Sequence, residues 1–320
     1  MDYEVSLRRS EAEMVEVITE AEAKDMIEKL EDRNVLTEEE LFEEVISTHR
    51  RGINVALVGN PNSGKTSLFN ALSGASEHVG NYSGVTVDAT TGHFSYKGYK
   101  INITDLPGTY SLSAYSPEEV YVRRHLYEQM PDVIVNSVVA SNVERNLYLT
   151  TELIDLNQRT VVALNMYDEL TASGATLDYQ TLGAMMGVPM VPTVARSGRG
   201  LEHLLDTVIE MFEGTNSVAR HIHIGYGSVM EEQIAELAAI LRPCDDLPKQ
   251  FPVRYWAVKL IEGDKEALSV LSSCRDFDEW VAEGVKAASI IERRTGKDVE
   301  MAVRDAKDGF IAGALAETMT

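Results

Sequence analysis

A glycine-rich loop between a strand and a helix constrains the fold of this chain more than any other feature. The apolar run "INVALV" is followed at once by "GNPNSGKTSLFN", residues 59–70. The loop satisfies G-x-x-x-x-G-K-[ST], and the helical stretch "TSLFNALSG" follows it, as the pattern requires. Glycines let successive backbone N–H groups turn inward around an anion, and the helix N-terminus adds partial positive charge. The context favours a phosphate-binding loop over a chance glycine-rich turn.

The pattern also predicts which loop residues contact a nucleotide. Lys65 is expected to reach the β- and γ-phosphates, and Thr66 is expected to offer its hydroxyl to Mg²⁺. The predicted nucleotide-binding stretch of the loop consists of Gly59, Asn60, Pro61, Asn62, Ser63, Gly64, Lys65, Thr66 and Ser67.

Further motifs close later strands in the order that a GTPase needs. In "DLPG", Asp105 can hold Mg²⁺ through water, and Gly108 can offer a backbone N–H to a γ-phosphate. In "NMYD", Asp168 can accept hydrogen bonds from N1–H and N2–H₂ of guanine, a donor pair that adenine lacks. The predicted substrate is therefore GTP, with GDP as product. In "VAR", the Ala195 amide can meet guanine O6, so the predicted base-binding residues are Asn165, Met166, Asp168, Val194 and Ala195.

Two threonines bear on hydrolysis. Thr86 lies between the phosphate loop and Asp105, where a loop threonine is the usual second hydroxyl ligand of Mg²⁺. Such a threonine holds the metal only while the γ-phosphate is present, which predicts an order–disorder switch; the alternative is a surface threonine. Thr109 occupies the position where Ras-like proteins place a water-orienting glutamine, and it is too short for that role. Slow intrinsic turnover is therefore expected.

Strand-like and helical stretches alternate from residue 52 to about 214, and helices follow. Apolar runs such as "TVVALN" between helical stretches predict a mainly parallel sheet covered on both faces. The run "HFSYKGYKINI" differs, because its alternation and its "KG" turn predict an antiparallel hairpin at one sheet edge. The predicted fold class is α/β, a P-loop GTPase with a Ras-like, mostly parallel sheet, followed by an all-helical domain. The predicted segments are a leader and acidic linker (1–50), a GTPase domain (51–215) and a helical domain (216–320).

Composition excludes several classes of protein. The net charge is −22, and nucleic-acid binders normally carry a basic face, so RNA and DNA are disfavoured as partners. No run approaches the ~18–20 apolar residues of a membrane helix, and the N-terminus lacks a secretory signal. Cys244 and Cys274 stand in no metal or redox spacing, which indicates reduced thiols. His221 and His223 have metal-like spacing on one predicted strand face, although solvated histidines are the favoured interpretation.

With these motifs, the chain resembles the cytosolic G-protein part of ferrous iron transport protein B, the FeoB family. The resemblance covers residues 52–315 and exceeds the generic GTPase motifs. It rests on "GNPNSGKTSLFN", "HVGNYSGVTV", "DLPGTYSL" and "ERNLYLTTEL", and on "RYWAVKLIEGD" and "DGFIAGAL" in the helical half.

The resemblance implies a role larger than nucleotide binding. The helical region would be the family's guanine-nucleotide-dissociation-inhibitor-like domain. The full protein would continue into transmembrane helices that carry Fe²⁺, with this part on the cytoplasmic face of the bacterial inner membrane. Family members often use K⁺ as an activating ion, a role that would fall to the Asn62 side chain and to carbonyls of Gly80 and Tyr82; the alternative for Asn62 is a turn-forming asparagine. Residues expected to carry hydrolysis are Asn62, Lys65, Thr86 and Gly108.

The resemblance also suggests partners. "YEVSLRRSEAEMVEV" is similar to the tail of the small barrel protein FeoA, which some bacteria fuse ahead of FeoB, so a FeoA-like domain or protein is an expected partner. The family further suggests a homo-oligomer. The chain departs from the family pattern at Val139 and Val194, and at Lys307 and Asp308, where "AKDG" replaces "ARYG" and is expected to loosen contact with the membrane part.

Two other functions share these motifs. An RNA-linked assembly or tRNA-modification GTPase is the main alternative, and the acidic balance disfavours it. A nucleotide-binding switch with negligible hydrolysis is the other.

Overall fold

The computed structural model describes residues 52–74, 89–113 and 115–320 with their side chains, and residues 77–80 by their backbone alone. The predicted leader, residues 1–50, lies outside these ranges, as do Tyr82 and Thr86. The described chain forms a sheet unit, residues 52–213, and a helical unit, residues 228–318.

The sheet unit is built on seven strands in the order β2-β3-β4-β1-β5-β6-β7. β1 pairs in parallel with β4 and β5, and the pairs β5–β6 and β6–β7 are also parallel. The mainly parallel sheet predicted from the sequence is therefore confirmed. The strands are β1 Gly52–Gly59, β2 Glu77–Gly80, β3 Ala89–Tyr96, β4 Tyr99–Asp105, β5 Val133–Val139, β6 Thr160–Asn165 and β7 Met190–Pro192.

The predicted hairpin forms, but its place in the sheet was predicted wrongly. β3 and β4 are antiparallel and are joined at Lys97 and Gly98, as the "KG" turn indicated. β2 pairs with β3 on the outside, so the hairpin lies one strand in from the edge. β2 has only four residues and no clear alternation, which is why the sequence did not indicate a strand there.

Helices cover both faces of this sheet. Ile53, Val55 and Leu57 of β1 point to one face and share a hydrophobic cluster with Leu68 and Leu204. The helices of the sheet unit are α1 Lys65–Ser73, α2 Pro117–Gln129, α3 Val143–Asp155, α4 Tyr167–Ala172, α5 Tyr179–Met186 and α6 Leu201–Glu213.

Helices of the sheet unit, α3 among them, cover the other sheet face and in turn pack against α11 (Val299–Thr318) of the helical unit. Ala56 and Val58 of β1 belong to a second cluster, which continues into the helical unit and includes Trp256 and Trp280. The chain from residue 228 to 318 is helical apart from its turns. Its helices are α7 Ser228–Leu241, α8 Val253–Glu262, α9 Lys265–Leu271, α10 Phe277–Thr295 and α11 Val299–Thr318.

The end of α11 returns to the sheet unit. The backbone N–H of Thr176 donates to the carbonyl oxygen of Thr320 at 2.7 Å, and Leu177 pairs with Met319. Among the described residues, none of the helices combines the length and the apolar character that crossing a membrane requires.

Candidate nucleotide-binding site

The phosphate loop is a tight turn between β1 and α1. Asn62 (φ 65°) and Gly64 (φ 76°) are in the left-handed region, and the Ser63 N–H donates to the Asn60 carbonyl oxygen at 3.1 Å. Left-handed residues in such a turn point neighbouring N–H groups to one side, which makes a concave binding surface for an anion. The local backbone is therefore that of a phosphate-binding loop.

Neighbouring atoms lie too close to Gly59 and Gly64, the two glycines of the loop pattern, to leave room for a side chain. A Cβ on Gly64 would lie 2.3 Å from Nδ2 of Asn165. A Cβ on Gly59 would lie 2.6 Å from the carbonyl oxygen of Ser137. Both distances are far below van der Waals contact, so the sequence pattern reflects packing as well as backbone freedom.

Two neighbouring strands hold the loop in place. Nδ2 of Asn165, at the end of β6, donates to the Ser63 carbonyl oxygen at 3.0 Å. Oγ of Ser137, on β5, donates to the same oxygen at 3.0 Å. Sequence reasoning missed Ser137, although a serine inside the buried run "VIVNSVV" was a usable signal.

The predicted phosphate and magnesium residues meet beside the loop. Nζ of Lys65 forms an ion pair with Oδ1 of Asp105, and the Thr66 hydroxyl donates to Oδ2 of Asp105 at 3.2 Å. Lys65 and Asp105 are both buried. Hydroxyl and carboxylate oxygens are the donors that Mg²⁺ prefers, so this group fits the metal.

The loop also carries buried donors that bond no protein atom among the described residues. These atoms are Nδ2 of Asn60 and the hydroxyl Oγ of Ser63. Buried polar atoms almost always have a partner, so such atoms in a phosphate loop fit contact with an anionic oxygen.

The "DLPG" segment runs back along β1 to this loop. The Leu106 N–H donates to the Leu57 carbonyl oxygen at 3.0 Å, and the Thr109 N–H donates to that of Gly59 at 3.1 Å. A Cβ on Gly108 would lie 3.1 Å from Cα of Pro61, so Gly108 is pressed against the phosphate loop. The Thr109 hydroxyl donates to the carbonyl oxygen of Ser111 at 2.6 Å and is thus directed into its own segment.

The predicted base-binding residues cluster after β6 and β7. Met166 is left-handed (φ 54°), and α4 begins at once, which leaves Asp168 exposed in its first turn. The Ala195 N–H donates to Oδ1 of Asn165 at 3.2 Å, and Val194 precedes it. Asn165 therefore connects the phosphate loop to the segment expected at the base.

The remaining predicted residues lie at the rim or elsewhere. Pro61 is half-buried, Asn62 and Ser67 are exposed, and Gly80 is the last residue of β2.

The histidine pair is not on a strand, because residues 217–227 contain none. Nε2 of His221 lies 3.1 Å from Nε2 of His223. The part of the chain that the structure describes contains no group of three or more His, Cys, Asp or Glu side chains placed to hold a metal.

Two departures from the family pattern have clear structural places. Val139 ends β5, and its N–H donates to Oδ1 of Asn146 at 3.3 Å. Lys307 is buried against carboxylates of α3, and the expectation that this replacement loosens contact with a membrane part stays a prediction. Asp308 is exposed.

Both halves of the chain match known sequence families. Residues 53–208 match the family described as ferrous iron transport protein B. Residues 226–320 match the family described as the FeoB cytosolic helical domain.

Curated relatives are longer than this chain. The chain is 45% identical, over 99% of its length, to the Fe(2+) transport protein A/Fe(2+) transporter FeoB fusion protein of Porphyromonas gingivalis, of which it covers 40%. It is 36% identical, over 79% of its length, to the Fe(2+) transporter FeoB of Staphylococcus aureus, of which it covers 38%. The chain thus spans about two fifths of the length of these relatives.

Solved structures agree with the sequence matches. A GDP-bound mutant of the S. thermophilus FeoB G-domain superimposes with a TM-score of 0.74 at 34% identity, covering 84% of this chain and 100% of that one. The cytosolic domain of the T. maritima FeoB iron transporter in its GMPPNP form gives 0.71 at 33% identity, covering 84% and 99%. The chain belongs to the FeoB family, of which it carries the G domain followed by the cytosolic helical domain.

Proposed function

We propose that this chain binds GTP with Mg²⁺ and hydrolyses it slowly, as the regulatory module of a bacterial Fe²⁺ transporter. One observation carries the proposal: three distant motifs meet at one site. Lys65 and Thr66 contact Asp105, and Asn165 holds the carbonyl oxygen of Ser63. The site lies at the carboxyl ends of β1, β4 and β6, where parallel α/β sheets bind their ligands.

In this proposal the loop amides and the Lys65 ammonium bind the β- and γ-phosphates. Mg²⁺ would be held by Thr66, by Asp105 through water, and by Thr86 while the γ-phosphate is present. The metal would neutralise charge on the phosphate oxygens. Gly108, beside Pro61, would donate its N–H to the γ-phosphate and so favour the charge that develops there.

The base would be guanine. The exposed carboxylate of Asp168, in the first turn of α4, is accessible to the N1–H and N2–H₂ edge of a purine. For Ala195 to donate to guanine O6, its N–H would share or leave its present acceptor, Oδ1 of Asn165. The solved S. thermophilus G-domain carries GDP, which supports this choice of base.

A potassium ion would supply the positive charge that an arginine finger supplies in other GTPases. The proposed ligands are the Asn62 side chain and the carbonyls of Gly80 and Tyr82. Asn62 is exposed and left-handed at the loop rim, a position that suits a ligand of an ion beside the phosphates.

The wider setting is also proposed. Relatives that carry this region are named Fe(2+) transporters, and one is fused to Fe(2+) transport protein A. We therefore infer a transmembrane part of the same transporter and a FeoA-like domain as partners. The inferred location is the cytoplasmic face of the bacterial inner membrane, and a homo-oligomer is the inferred assembly. The family assignment of both halves does not favour the RNA-linked alternative.

Nucleotide titration tests the core of the proposal. The purified chain, with Mg²⁺ present, is titrated with fluorescent GDP and with a fluorescent non-hydrolysable GTP analogue. Saturable binding of both, competed by unlabelled GTP and not by ATP, is expected. A folded chain that takes up neither guanine nucleotide refutes the function.

Single-turnover phosphate release tests hydrolysis and its ion dependence. Release from bound GTP is expected to be slow in Na⁺ and faster in K⁺ at equal ionic strength. Equal rates in the two salts would refute the proposed potassium site but would not contradict GTP binding. No release in either salt would indicate a binding switch without hydrolysis.

A further inference from the structure

Two histidines bring ring nitrogens together in the segment that connects the sheet unit to the helical unit. Nε2 of His221 lies 3.1 Å from Nε2 of His223. The ring centroids are 4.2 Å apart and the ring planes are 88° to each other, which is too close for the two nitrogens to point straight at one another. The nitrogens therefore meet side by side, and a hydrogen bond between them would be strongly bent and weak.

Asn157, just after α3, determines which nitrogen of His221 carries the proton. Nδ1 of His221 lies 2.5 Å from Oδ1 of Asn157, and an amide oxygen only accepts hydrogen bonds. The proton of neutral His221 is therefore on Nδ1, and Nε2, the atom beside His223, keeps its lone pair. Histidines that bind metal ions usually have this arrangement, in which an oxygen holds one ring N–H and the other nitrogen contacts the ion.

The chain around the pair alternates between side chains that pack inward and side chains that are exposed. Ile222 and Ile224 pack into the hydrophobic cluster that continues into the helical unit, and Ile224 is fully buried. The carbonyl oxygen of Ile224 also accepts from Nη2 of Arg254 at 3.0 Å. His221 and His223 alternate with these residues and are exposed. Packing of the isoleucines thus holds both imidazoles where an ion can reach them from solvent.

The cationic side chains that line the small cavity behind the two histidines are each paired with a carboxylate. The pairs are Arg254–Glu231, Lys259–Glu262 and Lys307–Asp155, with N···O distances of 2.7, 2.7 and 3.0 Å. Because each positive charge has a negative partner, a divalent ion at the two imidazoles would meet little net repulsion. The same pairing engages the nearby carboxylates, so the further ligands of such an ion would be water molecules.

We propose that His221 and His223 form a binding site for one divalent transition-metal ion of the class that prefers imidazole, which includes Fe²⁺, Co²⁺, Ni²⁺, Cu²⁺ and Zn²⁺. With metal–nitrogen bonds of about 2.0–2.1 Å, the 3.1 Å separation corresponds to an angle of about 100° at the ion. This angle lies between those of octahedral and tetrahedral coordination. Mg²⁺ and Ca²⁺ prefer oxygen ligands and are not expected to bind here.

The test changes each histidine and the asparagine separately. His221→Gln and His223→Gln each remove one ligand from an exposed position, so the fold is expected to be retained. Asn157→Gly removes the acceptor of the Nδ1–H and suits the left-handed backbone at this position (φ 53°). Asn157→Asp keeps an acceptor there, and its negative charge makes the imidazole a stronger ligand.

His203→Gln is the matched control. His203 is exposed on α6, so the variant makes the same chemical change at a solvent-accessible site. Among the described side chains, no second histidine is bonded to His203. Its replacement is therefore expected to leave metal binding unchanged.

The readout is the affinity for Ni²⁺ and for Zn²⁺, measured by calorimetric titration at pH 7.5 with excess Mg²⁺ to occupy sites built from oxygen ligands. The wild type is expected to bind one ion per chain, and Fe²⁺, titrated without oxygen, is expected to bind more weakly than Ni²⁺. Each histidine variant should lower the affinity at least about 10-fold, and Asn157→Gly should lower it about 10-fold, as expected for loss of a group that orients a ligand. Asn157→Asp should bind at least as tightly as wild type.

Three outcomes overturn parts of this inference. A folded wild type that takes up neither Ni²⁺ nor Zn²⁺ refutes the site. Binding that persists unchanged in both histidine variants places the ion elsewhere, for example at Cys244 and Cys274, and also refutes it. Equal losses in Asn157→Gly and Asn157→Asp would refute the orienting role of Asn157. The site does not rest on the proposed GTPase function, so a chain that binds metal through the histidines and no guanine nucleotide would refute that function alone.

Discussion

The side-chain amide of Asn165 donates a 3.0 Å hydrogen bond to the carbonyl oxygen of Ser63, more than one hundred residues earlier in the chain. The same side chain accepts from the Ala195 N–H through Oδ1. One buried amide thus joins the phosphate loop, the end of β6 and the segment after β7. Two ends of the proposed nucleotide site therefore depend on a single residue.

Asn165→Ala should weaken nucleotide binding as well as destabilise the fold. The change removes two hydrogen bonds and frees the phosphate loop, with an expected stability cost of about 1–3 kcal/mol. GDP affinity should fall about 10-fold or more, measured by fluorescence titration, with stability measured by urea unfolding.

Asn136→Ala is the matched control for this variant. Asn136 is a buried asparagine on the neighbouring strand β5, and its Nδ2 donates to the Thr150 hydroxyl at 2.9 Å. Its loss should cost similar stability and leave GDP affinity close to wild type. Equal effects of the two alanine variants on GDP affinity would contradict a special role for Asn165.

Much of this site could be predicted because it depends on local chemistry. The glycines, Lys65 and Thr66 belong to one contiguous pattern whose backbone demands are strict, and Asp105 ends a recognisable apolar strand. Which strand ends become neighbours follows from a parallel sheet. The sequence therefore indicated together the residues that are proposed to hold phosphate and magnesium.

What the sequence did not indicate depends on distant packing. The role of Ser137 arises only because β5 lies beside β1. Lys307 is a charged residue on a surface-like helix pattern, and its burial follows from the carboxylates that α3 presents to it. β2 forms because β3 offers it an edge, and its own four residues have little strand signal.

The variant Asp168→Asn should change the base preference of the site from guanine to xanthine. Asparagine has one amide oxygen in place of the two carboxylate oxygens, so it cannot accept from both N1–H and N2–H₂ of guanine as aspartate does. Its NH₂ group can instead donate to the O2 of xanthine. We expect GTP affinity to fall by about 100-fold and XTP affinity to rise above it, measured by competition against fluorescent GDP and XDP. Unchanged preference for GTP would show that Asp168 does not contact the base.

Gly284→Ala should destabilise the helical unit. A Cβ on Gly284 would lie 2.7 Å from the carbonyl oxygen of Leu260, a backbone atom that cannot yield without moving α8 away from α10. The expected cost is about 1–3 kcal/mol, as for overpacking in a close-packed core, measured by urea unfolding.

Gly313→Ala is the same chemical change at an open helical position. No atom lies within 4 Å of the Cβ it would carry, and the residue is exposed on α11. Replacing a helical glycine with alanine should stabilise the chain by roughly 0.5–1 kcal/mol. A loss of stability in both variants would mean that the contact with Leu260 is not the cause.

His125 should make the chain less stable as the pH falls. Burial lowers the pKa of His125 to about 4, and its ring stacks near that of Tyr121. The unfolded chain, with an ordinary histidine pKa, binds more protons between about pH 6.5 and 4, so the contribution is complete above pH 6.5 and is lost as the pH falls toward 4. We expect the difference in unfolding free energy between pH 7.5 and 4.5 to shrink by about 2 kcal/mol in His125→Gln. The control variant His203→Gln lies at an exposed position of α6 and should keep the wild-type difference in unfolding free energy between the two pH values. If His125→Gln also keeps that difference, another group causes the acid sensitivity.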